Sequence, residues 1–140
     1  MSAPGPLDHI GLAVASIDTA LKFWRDCLGA EASAPEEVPS EGVRVVFLPL
    51  GETRIELLEP LGPSSPIARF LEKRGEGIHH VCVRVADLEA SVTALEAAGA
   101  EVIAPRIRRG AGGRRIAFVH PRSTGGVLLE LKEVPASTPA

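Results

Sequence analysis

Cysteine, unbalanced charge and long apolar runs are all scarce in this chain of 140 residues. The two cysteines, Cys27 and Cys82, are too few to frame a disulfide scaffold. They fall in segments that read as a helix end and a buried strand, which marks them as small core hydrophobes kept reduced. No apolar stretch approaches the ~18 residues of a membrane span. The first residues, Met1 to Pro6, have neither the basic nor the apolar region of a secretory signal. The formal net charge of -3 gives no general attraction to nucleic acid or to an anionic membrane, so any anion site must be a local basic cluster. These absences point to a cytoplasmic protein that binds neither. What remains is globular in composition, 45% hydrophobic and 24% charged, and long enough to bury a core as one domain over residues 1–140.

The chain contains itself twice. HIGLAVASIDTAL, from His9, matches HVCVRVADLEASV, from His80, at an offset of 71 residues (80 minus 9). Each segment opens on His, alternates small or apolar residues through Val14 or Val85, turns at an acid, Asp18 or Asp87, and enters a helical stretch. Each helix meets a glycine stop, at Gly29 or Gly99. Further on, Val45 to Leu48 matches Ile116 to Val119 at the same offset, and each copy closes on a strand with one glutamate, Glu56 or Glu130. The pattern predicts an α+β fold of two βαβββ repeats, residues 7–60 and 77–133; if their mixed sheets curl around a common cavity, that cavity can bind a metal. The linker, 61–76, starts in a Pro- and Gly-rich turn and continues as a short helix from Ile67 to Arg74. Strands at Val38 and Val102 are interrupted by Pro39 and Pro105. The tail from Val134 to Ala140 is expected to fray.

Alternation along a half-buried strand places Ile10, Leu12 and Val14 on the packed face and His9 on the other. The same rule sets Val81, Val83 and Val85 against His80, Ile55 and Leu57 against Glu56, and Leu129 and Leu131 against Glu130. Each repeat thus offers one imidazole and one carboxylate on its open face, and the four can converge on one divalent ion: Zn, Co, Ni or Mn. Taken singly, such residues are ordinary on a sheet, but an acid repeated inside an apolar closing strand calls for a partner. The repeat alignment selects His80 over His79 as the ligand and leaves His79 a structural role. His120, before Pro121, reads as a turn or rim residue.

The segments DHIGLAV, GIHHVCVRV and HPRSTGGVLLEL, with the linker LLEPLGPSSPIARFL, resemble the signature segments of the methylmalonyl-CoA epimerases of the vicinal oxygen chelate superfamily. The resemblance runs from His9 through Glu130. It implies a glyoxalase-like fold, a homodimer, an acyl-CoA substrate and one divalent ion per chain, most often cobalt, held by His9, Glu56, His80 and Glu130. It also implies metal-assisted removal and return of the proton α to a thioester, interconverting the (R) and (S) forms of methylmalonyl-CoA through an enolate. Glu130 is the expected proton carrier on one face. The second is less clear, because some members of the family carry a glutamate where Val45 stands here. Glu56 is the first choice, with Glu41 or Glu37 reaching in from the preceding loop as others.

The basic run from Arg106 to Arg115 reads either as a solvated hairpin turn or as a holder of coenzyme A phosphates. The alternatives in function are a glyoxalase I-type lyase acting on a glutathione hemithioacetal, an Fe(II) dioxygenase, and a metal-free protein binding a small ligand in the same cavity.

Overall fold

The computed structural model describes residues 3–135, so most of the tail expected to fray lies outside the described residues. The chain divides into two compact units, one from His9 to His79 and one that joins Met1–Asp8 to His80 and the residues after it. The boundaries fall immediately before His9 and His80.

In the first unit β1 (Leu7–Ala13) leads into α1 (Ile17–Leu21), followed by β2 (Glu36–Val38), β3 (Val43–Leu50), β4 (Thr53–Pro60) and α2 (Pro66–Arg74). The strand order is β2-β3-β4-β1, antiparallel except where β1 runs parallel to β4. The second unit repeats this with β5 (Gly77–Val85), α3 (Leu88–Ala97), β6 (Arg108–Arg109), β7 (Arg115–Val119) and β8 (Leu129–Glu133). Its order is β5-β8-β7-β6, with β5 parallel to β8. In each unit the strand after the helix therefore takes the far edge of the sheet, and the closing strand comes back beside the first one, parallel to it.

Each helix packs on one face of its sheet. In the first unit Leu12, Val14, Ile17, Leu21, Val46, Leu48, Ile55 and Leu57 form one apolar cluster. In the second, Val83, Val85, Leu88, Val92, Ala117, Val119, Leu129 and Leu131 do the same. Because neighbours along a strand alternate faces, His9, Val45, Phe47 and Glu56 lie on the face away from the helix, as do His80, Ile116, Phe118 and Glu130. The alternation read from the sequence is confirmed at both closing strands.

The helix starts are secured twice over. Ser16 accepts the Thr19 amide and Asp87 accepts the Ala90 amide, so in the first repeat the cap is Ser16 and the expected Asp18 stands in the first turn. A glutamate from each closing strand takes a further orphan amide: Glu59 accepts from Ile17 at 2.8 Å and Glu133 from Leu88 at 3.0 Å. Arg44 and Arg115 then hold those same glutamates.

The two helices end differently. From His9 to Gly29 the chain advances 20 residues (29 minus 9), but from His80 to Gly99 only 19 (99 minus 80). The first helix absorbs the extra residue by widening into a π-helical turn over Lys22–Cys27, the usual structural signature of a single insertion in a helix. Both stop glycines adopt the left-handed conformation, with φ of 88° at Gly29 and 94° at Gly99. Cys27, at the end of the π turn, is exposed and does not join the core as expected, whereas Cys82 is buried. The linker helix starts at Pro66 behind a Ser65 cap, close to the expected range. Pro39 ends β2, while Val102 makes only an isolated bridge to Val119.

Candidate metal centre

Each repeat builds one buried histidine–glutamate pair. In the first, β1 brings His9 in and β4 brings Glu56; His9 Nε2 stands 3.2 Å from Glu56 Oε1. In the second, β5 and β8 place His80 Nε2 3.0 Å from Glu130 Oε1. The four residues are 2%, 5%, 4% and 7% exposed in chain order from His9 to Glu130. Burial of that degree is costly for a carboxylate unless a cation or donor faces it, so both pairs answer a real desolvation cost.

The pair register is set by the strands and not by sequence distance. Phe47 lies directly across from Glu56, and Phe118 across from Glu130. Each Phe ring meets the histidine of its own repeat in a T-shaped contact, with ring centroids 5.8 Å apart for His9 and 6.1 Å apart for His80. An arginine then covers each ring, Arg54 at 3.9 Å over Phe47 and Arg108 at 5.3 Å over Phe118. Rotation of either imidazole would break its ring contact, so the imidazole nitrogens are held in place by packing. Sequence reasoning missed both phenylalanines, although their shared offset had already marked them.

The donor set fits a divalent ion. Two donors at about 2.1 Å from one metal stand about 3.0 Å apart at a right angle and about 3.4 Å apart at the tetrahedral angle, and both pairs fall in that interval. All four residues are of types that could hold a metal, and imidazole with carboxylate suits the borderline and harder first-row ions.

Several neighbours have other duties. His79 stacks edge-on against Phe70 of α2, with centroids 5.0 Å apart, the structural role expected for it. The position equivalent to His79 in the first repeat is Asp8 (79 minus 71), buried at 1% exposure. Asp8 accepts from Arg84 Nε at 2.8 Å and lies 3.3 Å from Lys132 Nζ. This charge cluster has no counterpart in the sequence reading. Cys82, opposite Glu130 in register, shares the face of His80. His120 caps the turn Pro121–Ser123 by accepting the Arg122 amide at Nδ1, as a turn residue should.

In the basic loop most arginines are engaged by their own chain. Arg106 binds Glu96 and Thr93, Arg109 the Gly113 carbonyl, and Arg115 both Glu89 and Glu133. Arg108 donates to the Ala104 carbonyl and lies over Phe118, and these contacts together favour the hairpin-turn reading of the loop. Among the described residues, no helix is long and apolar enough to cross a membrane.

Each of the two α+β units presents the same His–Glu pair on the open face of its sheet, the arrangement of a duplicated fold. The family model of the Glyoxalase/Bleomycin resistance protein/Dioxygenase superfamily matches residues 8–118, and the chain belongs to that superfamily. It is 46% identical over 134 residues to the ethylmalonyl-CoA/methylmalonyl-CoA epimerase of Cereibacter sphaeroides, covering 93% of this chain and 98% of that one. The crystal structure of methylmalonyl-CoA epimerase from Mycobacterium tuberculosis superposes with a TM-score of 0.87 at 41% identity, covering 97% of this chain and 93% of that one. A methylmalonyl-CoA epimerase in complex with methylmalonyl-CoA and NH4+ superposes with a TM-score of 0.89 at 34% identity, covering 98% of this chain and all of the other, 100%.

Proposed function

We propose that the protein is a methylmalonyl-CoA epimerase in which His9, Glu56, His80 and Glu130 hold one divalent ion. The observation that carries this reading is the repetition of a buried His–Glu pair whose donor atoms are spaced for a common metal. The near full-length similarity to epimerases supports the substrate class, an acyl-CoA with a carboxylate on its α-carbon. Cobalt is the expected ion, with zinc, nickel or manganese as other candidates, and a homodimer in the cytoplasm is the expected form.

The reaction breaks a C–H bond next to a thioester and remakes it on the other side. A bound divalent ion would supply Lewis acidity at the thioester oxygen, lowering the cost of the negative charge that develops there. Glu130 accepts the α-proton on one face: the C–H electron pair moves into the thioester to form an enolate, and the proton resides on the carboxyl. Return of that proton regenerates the starting epimer, whereas delivery of another proton to the opposite face inverts the carbon. The Phe47 and Phe118 rings hold the histidines and exclude water beside the pairs, strengthening each charge interaction there.

Proton NMR of the metal-loaded protein with methylmalonyl-CoA in deuterium oxide tests the reading. The expected result is exchange of the α-proton that stops on chelation and returns with added metal. No exchange at any metal loading would overturn it and move the search to glutathione hemithioacetals.

A further inference from the structure

Two glutamates that hold one ion stand on the ion's side of a bound thioester. The proton delivered to the far side of the substrate carbon must then come from a group that stands off from the ligands. Glu56, the second carrier expected from the sequence, is a buried partner of His9 and belongs to the ligand set. The open face of the first repeat is otherwise poor in proton carriers near that pair. Val43, Val45 and Leu58 are buried there, and Phe47 fills the place beside His9.

The edge strand β2 supplies what the others lack. Residues directly opposite in an antiparallel pair project to the same side. Glu36 is opposite Val45, and Val45 is opposite Leu58, so Glu36 shares the open face with Phe47 and Glu56. Glu37 is opposite Arg44, which faces the helix side and holds Glu59. Glu37 is therefore turned away from the site, contrary to its place among the sequence candidates. From Glu36 to Glu56 is two strand spacings across and two residues along, about 12 Å between α-carbons. Glu56 is committed to His9 on the far side of β4, so it is the Glu36 side chain that reaches into the span, leaving room there for a small acyl group. Glu36 is also exposed, so it can exchange its proton with water between turnovers.

We propose that Glu36 is the second proton carrier, contributed by the first repeat as Glu130 is by the second. Val45, the residue lacking a proton to give, thus lies beside a glutamate one strand over. The proposal rests on the epimerase reading and assigns Glu56 to ligation alone.

The test compares Glu36→Gln and Glu37→Gln with the unmodified holoenzyme, using each epimer of methylmalonyl-CoA separately in deuterium oxide. α-Proton exchange and inversion are followed together with metal content. Glu36→Gln is expected to keep its metal and to exchange the proton of one epimer while inversion falls by about 100-fold or more; Glu37→Gln is expected to behave as the unmodified protein. Inversion by Glu36→Gln within a few-fold of the unmodified rate overturns the assignment. So does joint loss of exchange from both epimers, since a carrier for one face cannot abolish chemistry at the other. Failure of the unmodified holoenzyme to exchange either epimer would instead sink the epimerase reading itself.

Discussion

The two repeats arrive at the same His–Glu pair along chains of different length. Between β3 and β4 the turn is Gly51 and Glu52, whereas residues 120–128 join β7 to β8. The offset between the two closing glutamates is consequently 74 (130 minus 56), three more than the 71 that relates the histidines. Yet Phe47 faces Glu56 and Phe118 faces Glu130 in the same register. Length is absorbed in loops and in one π turn, while the cross-strand positions beside the ligands hold. The comparison teaches that the pairing of strands is the constrained quantity here, and spacing along the chain is not.

The repeats differ more at the position just before each histidine. Asp8 pairs with Arg84 and Lys132 inside its own compact unit, and His79 packs on Phe70 inside the other. The largest expected effect breaks the likeness of their neighbours. Replacing His80 by Ala leaves Glu130 a buried carboxylate without its partner, and metal content is expected to fall to background together with activity. His79→Ala loses only a ring contact, about 1 kcal/mol, and keeps its metal. Metal analysis of the two purified variants checks this, and equal content in both would remove His80 from the ligand set. His9→Ala should match His80→Ala if the pairs are equivalent.

A smaller but clear effect is expected at Asp8. Its side chain is 2% exposed, and its partners Arg84 and Lys132 are 18% and 16% exposed. Asp8→Ala leaves two half-buried cations facing each other, since Arg84 and Lys132 are also paired in register. Denaturant unfolding should show a loss of about 3 kcal/mol, the lower end for a broken buried pair because both cations retain some water. A loss under about 1 kcal/mol would mean that the cluster is held no more tightly than a surface ion pair.

The parts of this design legible in the sequence were those with a short period. Alternation placed Leu12, Val83, Leu57 and Leu131 on the packed side, which left His9, His80, Glu56 and Glu130 on the other. The glycine stops and the linker helix were also legible because their signals are local. Three things were not. The caps from Glu59 and Glu133 join residues 42 and 45 positions apart, and nothing in the local pattern of an acid reveals which amide it reaches. Asp8 with Lys132 spans 124 positions and depends on strand order. Glu36 could be sorted from Glu37 only once the register of β2 on β3 was known, since a slip of one residue exchanges their faces. The π turn accounts for the counts of 20 and 19 residues between histidine and glycine, which alone do not say where the extra residue sits.

That count leads to the smallest expected effect. If the π turn is a single inserted residue accommodated locally, deleting Lys22, which is exposed and begins the turn, should let the first helix close as an α-helix like α3. Ile17 and Leu21 precede the deletion and keep their buried places. Gly29 keeps its left-handed stop, because a π turn and an α turn differ by one residue over the same rise. Thermal unfolding of the deletion variant should shift by no more than about 1 kcal/mol in stability, with the metal retained, since His9 and Glu56 are held from the strands. A variant that loses its metal or fails to fold would show that the widened turn positions Trp24 against the core in a way an α-helix cannot. The first repeat would then owe its ligand geometry to its helix as well as to its sheet, and the equivalence of the two repeats would fail at that point.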